Sequence, residues 1–224
     1  MIKLKKTLFL TICCWIPAAL CAQEKNFHDK DLTGKSFAGA SLNGADFSDA
    51  ILQNCDFHGA SLKNANFNGA DLKNATFAKA DLTGADMRGI SQVPFIDGTI
   101  LNKANLEGVD LKACGSIYGC KFRGANLRNT KNWALVGACD FSGADLRGAN
   151  FRGMTPDQTA RFTKAKYDDE TTWPDGFDPK SVGAVLTKGD SAEEQSSETK
   201  SKSSAKPETK ADETEGPKPK TTDQ

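Results

Sequence analysis

Large apolar residues recur at every fifth position in the first part of the chain. From Phe27 to Met87 each fifth residue is Phe, Leu or Met, without interruption. From Ala40 onward, a small residue lies two positions before each of these, a polar residue usually lies one before, and Gly or Asn often lies two after. The full run is Phe27, Leu32, Phe37, Leu42, Phe47, Leu52, Phe57, Leu62, Phe67, Leu72, Phe77, Leu82 and Met87.

A period of five fits neither regular element. Five helical steps rotate a side chain by about 140°, and five steps along a strand reverse its face. The chain must therefore turn after each short extended piece, and the Gly and Asn positions favour such turns. Four turns close a coil of about twenty residues, and stacked coils pair their backbones. The large and small residues of the period then point inward, with Leu facing Leu and Phe facing Phe.

Segments such as 70–74 (ADLKN) and 80–84 (ADLTG) resemble the A(D/N)LxX repeat of the pentapeptide-repeat family. The resemblance covers about 26–153. It implies an all-β fold, the right-handed quadrilateral β-helix, which agrees with the turning argument. The same period continues with interruptions, and it adds to the predicted core Leu101, Leu106, Leu111, Phe122, Leu127, Phe141, Leu146 and Phe151.

The period is interrupted three times. One residue is missing between Met87 and Ile96, one is gained before Ile117, and one is missing at 131–135. Such irregular places are candidates for partner contact. Drift that a surface turn tolerates is the alternative interpretation, and the sequence alone favours it.

The two ends of the chain differ from the repeats. A basic start, an apolar stretch over 8–20 and small residues to Ala22 predict a signal peptide at 1–22 and a periplasmic or secreted bacterial protein. An uncleaved anchor is the alternative, but the stretch is shorter than the about 20 residues that a span needs. At the other end, the Lys, Glu, Ser, Thr and Pro composition of 187–224 predicts a disordered tail.

The segment 154–183 is expected to close the last coil. Thr155 followed by Pro156 predicts the start of a short helix that reaches about Phe162. We interpret four aromatic residues as a lid over the coil, with an aromatic ligand site as the alternative: Phe162, Tyr167, Trp173 and Phe177.

Removal of the signal peptide leaves four cysteines, whose spacing matches no zinc motif. Cys120 and Cys139 fall in one column on adjacent coils, and they are candidates for a disulfide in an oxidising compartment. Cys55 fills the same small inward position without a neighbouring cysteine, which shows that cysteine can replace alanine there. Buried free thiols are therefore slightly favoured over a bond between Cys120 and Cys139. Cys114 has no predicted mate.

No constellation of catalytic residues is evident. His28 and His58 lack a carboxylate or thiol at a catalytic spacing, and the Asp residues are spread one to a repeat. We therefore expect no enzymatic activity, no metal and no cofactor. Lys plus Arg number 29, and so do Asp plus Glu. The net charge is about −2 over 26–90 and about +3 over 91–153.

Two functions are compatible with these observations. The first is an exported structural or interaction scaffold whose partner is an unknown protein of the envelope or the exterior, with no nucleic acid and no stable membrane span after cleavage. The second comes from the resemblance: some family members, of the quinolone-resistance type, mimic DNA and bind gyrase. A DNA mimic needs dense negative charge, which the near-neutral repeats do not supply.

Overall fold

Parallel bridges between residues about twenty positions apart wind the chain into stacked coils. The computed structural model describes residues 25–188, apart from 115, 134, 157 and 158. Asn26 pairs with Asp46, Asp46 with Asn66, and Asn66 with Asp86. Main-chain N–H groups donate to the following coil, as from Phe47 N to Asn66 O at 2.7 Å. The described residues therefore form a β-helix-type fold.

Each coil has four bridge positions, about five residues apart, which define four faces. We number the faces in chain order, so that in the second coil Asp46 lies on the first face, Ile51 on the second, Asp56 on the third and Ser61 on the fourth. The first-face ladder marks the start of each coil and runs through Asn26, Asp46, Asn66, Asp86, Asn105, Asn126, Asp145 and Lys166.

Longer strands form at only two places in the described residues. On the third face, β1 (Ser116–Tyr118), β2 (Leu135–Gly137) and β3 (Thr155–Pro156) make a parallel sheet in that order. On the first face, β4 (Lys166–Tyr167) pairs with β5 (Val185–Leu186). A 3-10 helix over Lys112–Cys114 occupies a corner before β1.

Stacked rings fill the first coils. Phe37, Phe57 and Phe77 lie one above the other, with ring centroids 4.9 and 4.6 Å apart, and Phe57 meets Phe47 edge-to-face across the core at 5.6 Å. Of the residues that the periodicity assigns to the core, Leu32 is partly buried and the others are buried. Leu32 belongs to the first coil, where lysines occupy the neighbouring small slots.

The aromatic columns change faces halfway along the stack. In the first coils they lie on the first and third faces, whereas Phe122, Phe141 and Phe162 stack on the fourth face at 5.1 and 4.9 Å. Trp133 and Phe151 lie in the second-face column. The fourth coil lies between these two sets of aromatic columns and has an aliphatic core, formed by Met87, Val93, Ile96 and Leu101.

In many repeats the polar residue at the bridge position organises the turn that follows it. Its side chain accepts the N–H two residues on, as from Ser48 N to Asp46 Oδ1 at 3.0 Å and from Thr83 N to Asp81 Oδ1 at 3.1 Å. This is the local Asx arrangement that favours turns. The next residue then takes a positive φ, for example Asp49 at 56°.

The coils extend beyond residue 153, and the predicted helix at 155–162 is wrong for the residues described there. Thr155 and Pro156 form β3 because they continue the third-face ladder of Leu135 and Val136. Phe162 is a column residue stacked on Phe141 and not part of a lid. The coil reaches Thr187, whose N–H donates to Tyr167 O at 2.7 Å, so the predicted tail boundary at 187 falls inside it.

Two aromatic side chains do cover the end of the columns. Trp173 stacks on Phe151 at 5.0 Å, and Phe177 stacks on Trp173 at 5.1 Å. Tyr167 is buried beside Trp173. The predicted signal peptide and the tail beyond 188 lie outside the described residues. Within those residues, no helix has the length and apolar character needed to cross a membrane.

The ring stacks predict a large loss of stability on truncation. Phe57→Ala should lower the free energy of unfolding by about 3–5 kcal/mol, because it removes a fully buried ring that is stacked on both sides. Denaturant titration of residues 23–224 measures this change. The neighbouring exposed His58→Ala is the control and should alter stability by less than about 0.5 kcal/mol. Equal effects of the two changes would contradict the assignment of the core.

The turn carboxylates predict acid sensitivity. Hydrogen bonds from Ser48, Gln53 and Arg88 hold the pKa of Asp46, Asp71 and Asp86 below the ordinary value. A carboxyl whose pKa is lower in the folded state contributes stability above its unfolded pKa, and that contribution is lost as the pH falls below it. The denaturation midpoint should therefore drop between about pH 5 and about pH 3. A midpoint constant over that range would show that these bonds are not maintained in solution.

Candidate interaction surface

Three large apolar side chains are exposed together on the third face. Phe95, Tyr118 and Leu135 have 59%, 58% and 54% of their surface accessible. They belong to three successive coils, and Tyr118 in β1 pairs with Gly137 in β2. With coils about 4.8 Å apart, Phe95 and Leu135 lie about 10 Å from each other, with Tyr118 on the coil between them. We call these three residues the apolar patch.

The patch sits on the most extended part of the described backbone. β1, β2 and β3 supply three paired strands beneath it, and Asp97 Oδ1 accepts the N–H of Tyr118 at 2.9 Å. The other large apolar side chains that the described residues expose lie elsewhere, namely Ile51 on the second face and Val185 and Leu186 in β5. The patch is therefore a fixed cluster and not scattered exposure.

The three interruptions of the period stack at one corner, between the second and third faces. The chain takes four residues from Ser91 to Phe95, six from Asp110 to Ser116, and four from Lys131 to Leu135, where a regular coil takes five. These three changes border the apolar patch in the same three coils. Two further one-residue gains lie at other corners, from Thr155 to Arg161 and from Lys166 to Thr172, so corner lengths also change away from the patch, as drift predicts.

The fourth face, which follows the third face in every coil, is basic in the later coils. From the fourth coil to the seventh its outward side chains include five cations and one carboxylate, a net charge of 5 − 1 = +4. In the first three coils it carries one cation and one carboxylate, Lys63 and Asp81, which form an ion pair at 3.4 Å. The charged residues of the later coils are Lys103, Lys121, Arg123, Asp140, Arg161 and Lys164. We call these six residues the basic face.

A groove of about 330 Å³ lies at the corner where the third face meets the fourth. Gly119 and Ala138 form its floor at the turn, where Ala138 has a φ of 50°. Lys121, Arg123 and Arg161 line it together with Thr159 and Asp140. The groove thus connects the apolar patch with the basic face.

The charges of the groove are partly compensated. Arg123 Nε donates to Asp140 Oδ2 at 2.6 Å. Burial acts to raise the pKa of Asp140, but hydrogen bonds from Ser142 and Arg123 outweigh it, and the pKa is lowered overall. Asp140 therefore stays ionised at neutral pH. Among the described residues no carboxylate forms an ion pair with Lys121 or Arg161, which also line the groove.

The two histidines lie on different faces, and neither belongs to a catalytic arrangement. His58 is exposed on the third face of the second coil. His28 Nδ1 lies 3.0 Å from Ser48 Oγ and 3.9 Å from Asp49 Oδ2, a carboxylate that the sequence reasoning missed. Both contacts use the same ring nitrogen, whereas a serine nucleophile and an orienting carboxylate need opposite nitrogens. A spacing of twenty-one residues, one coil plus one, is the signal that links His28 and Asp49.

Metal ligation has no support in the part of the chain that the structure describes. No three His, Cys, Asp or Glu side chains come close enough there to hold an ion. The cysteines instead occupy the small inward slots. Cys55 Sγ donates to Leu32 O at 3.1 Å, and Thr99 fills an equivalent slot with its hydroxyl on Phe77 O at 2.8 Å.

Cys120 and Cys139 lie side by side in the core as free thiols. Their neighbours Lys121 and Asp140 are bridge partners, which places the two cysteines on adjacent coils. A hydrogen bond shared with Cys139, together with burial, raises the pKa of Cys120. Burial raises the pKa of Cys55 to about 11 and that of Cys114 to about 12. Cys55, Cys114 and Cys120 are therefore protonated at physiological pH, and thiols that are buried and protonated react slowly.

The chain shows sequence similarity to a known repeat. The family model "Pentapeptide repeats" matches eight copies over residues 26–59, 50–89, 97–129 and 137–155. No curated protein matches the chain significantly.

Similar solved structures are also repeat proteins of this kind. HetL from the cyanobacterium Nostoc sp. strain PCC 7120, a protein involved in regulating heterocyst differentiation, is 23% identical over 69% of this chain and 76% of its own, with a TM-score of 0.39. A thylakoid-lumen protein of Arabidopsis thaliana is 32% identical over 51% of this chain and 72% of its own, with a TM-score of 0.29. The plasmid-mediated fluoroquinolone resistance protein QnrB1 is 21% identical over 80% and 95%, with a TM-score of 0.32.

The buried thiols predict a simple chemical result. Residues 23–224 should not react with a water-soluble disulfide reagent at about pH 8, because burial raises the pKa of Cys55 and Cys114 and limits access to all four thiols. Four thiols should react after unfolding in denaturant. Two reactive thiols in the unfolded chain, with a mass about 2 Da lower, would show instead that Cys120 and Cys139 are bonded.

Proposed function

Because this chain belongs to the pentapeptide-repeat family, we propose that it is a non-enzymatic scaffold that holds a protein partner against one side of its β-helix. The apolar patch carries the proposal. Phe95, Tyr118 and Leu135 expose more than half of their surface on three successive coils, above a paired sheet. Contiguous exposed apolar residues of this kind mark surfaces that another molecule covers.

The rigidity of the scaffold supports this role. Inter-coil hydrogen bonds and stacked rings fix the spacing of outward side chains, so a partner meets a preorganised surface and loses little entropy in ordering it. The stacked interruptions of the period reshape the corner beside the patch without disturbing the ladders. We take the β-helix to be the right-handed, four-sided form of the family.

The proposal places the protein outside the cytoplasm, in the periplasm or the medium. The basic start and short apolar stretch of residues 1–22 support this. The DNA-mimic alternative has less support, because the fourth face of the later coils carries a net charge of 5 − 1 = +4 where a mimic needs negative charge.

Site-specific photo-crosslinking tests the proposal. We would place p-benzoylphenylalanine at Phe95, Tyr118 or Leu135 of the full chain, tagged after Gln224, and express it in the native cells. All three positions should give an adduct with the same envelope or extracellular protein, because they face one partner. The intact mass of the protein that has not been crosslinked should show loss of about the first 21–22 residues.

The exposed Lys73 on the second face is the control position, and its adduct with that protein should be absent or much weaker. Adducts that form equally from Lys73, or none from the third face, would refute the assigned surface. A full-length cytosolic product would refute export, and a gyrase-inhibition assay would then be the next measurement.

A further inference from the structure

The apolar patch has a basic neighbour, and together they specify the chemistry of the partner. We infer that the partner presents an extended acidic segment in which carboxylates alternate with aliphatic side chains, and that this segment lies over the corner between the third and fourth faces. The inference rests on the proposed function and names the class of partner for that surface.

The basic face and the apolar patch occupy overlapping coils. The basic face has a net charge of +4, from five cations and Asp140, in the fourth to seventh coils, and the apolar patch spans the fourth to sixth. The first three coils carry neither feature. A surface with unneutralised lysine and arginine beside apolar side chains is complementary to a carboxylate-rich, partly apolar ligand.

The groove provides the contact point for a carboxylate. Its lining includes Lys121 and Arg161, which form no ion pair with the described carboxylates, and it opens at the corner itself. Thr159 lies in the same wall, where its Oγ accepts the N–H of Ala138 at 2.9 Å. Its volume of about 330 Å³ can hold acidic side chains from a chain that passes over it.

The geometry favours a polypeptide over a membrane. The chain turns at Gly98, Gly119 and Ala138, all with positive φ, so the patch and the basic face point in different directions. A flat bilayer that rests on one face does not contact the other. An extended segment along the corner sends alternate side chains to opposite sides, because its side-chain period is two.

The same geometry limits the length of the segment. Four coils span three spacings of about 4.8 Å, or about 14 Å, which an extended chain covers in about four to five residues. A suitable probe is therefore the capped, fluorescein-labelled peptide Ser-Glu-Leu-Glu-Leu-Glu-Ser. Its two matched controls replace every Glu by Gln or every Leu by Ser.

Fluorescence anisotropy with purified residues 23–224 tests the inference. The Glu-Leu peptide should bind, and raising the salt from about 50 to about 300 mM should weaken binding, because the contacts are partly ionic. Both control peptides should bind at least about tenfold more weakly, since each lacks one of the two complementary features.

Charge reversal locates the site. Lys121→Glu combined with Arg161→Glu should weaken binding of the Glu-Leu peptide at least about tenfold. Lys73→Glu combined with Arg152→Glu makes the same change in net charge at exposed positions of the second face, and it should alter binding less than about twofold. Unchanged circular dichroism would show that both double variants are folded.

Each other outcome would overturn the inference. Absence of peptide binding, or equal loss in the two double variants, would do so. The inference would also be overturned if phosphatidylglycerol vesicles or a single-stranded oligonucleotide bound more strongly than the Glu-Leu peptide and this binding depended on Lys121 and Arg161. That result would assign the surface to a lipid or a nucleic acid. Third-face crosslinks that persist alongside such a failure would leave the proposed function intact and remove only the acidic partner.

Discussion

Main-chain hydrogen bonds between neighbouring coils are the constraint on which the rest of the structure depends. A typical N–H donates to a carbonyl nineteen residues on, as from Leu52 to Asp71 at 2.8 Å. This ladder sets the rise of each coil, and side chains one coil apart must then stack at nearly the same spacing. The ring separation of 4.6 Å between Phe57 and Phe77 follows from it. The ladder also limits the second inward position of each repeat, two residues before the large one, to small residues.

The ladder explains how the chain tolerates changes in repeat length. A one-residue slip inside an extended piece would exchange inward and outward side chains. The structure instead absorbs the missing or extra residues at a corner, between Ser91 and Phe95 and again beside Lys112, where no bridge has to form. Bridges resume on the third face, and β1, β2 and β3 pair in register there. The corner thus changes shape while the core stays continuous.

Equal totals of acidic and basic residues conceal an uneven distribution. Nine of the eighteen carboxylates in the described residues lie at bridge positions, where several of them organise turns and stay ionised through local hydrogen bonds, as at Asp46 and Asp86. On the fourth face of the later coils, Lys121 and Arg161 form no ion pair with a carboxylate of the described residues. The charge of the chain as a whole therefore says little about binding. The proposed surface depends on which cations are left unneutralised next to exposed apolar groups.

The inward residues were predictable from the sequence because the period of five is local. Phe57 or Leu62 is recognisable from its own neighbours, and the family resemblance follows from the same pattern. Trp133 and Phe162 were missed as core residues because the period breaks before each of them, and Pro156 beside Thr155 favoured a helix that the third-face ladder excludes.

The surface could not be predicted in the same way. Phe95 and Leu135 are 40 positions apart, which is two regular coils, because the residue gained before Ile117 and the residue missing at 131–135 cancel; the pairing of β1 with β2 places Tyr118 on the coil between them. The lengths of all the preceding corners together decide which outward side chains become neighbours. The pairing of the coils sets those lengths. Where the period of five is unbroken, the sequence is enough to assign the inside of this protein, because inward position is a local property. The neighbours on its outside follow only from the pairing of the coils, because outward adjacency depends on register accumulated over many coils.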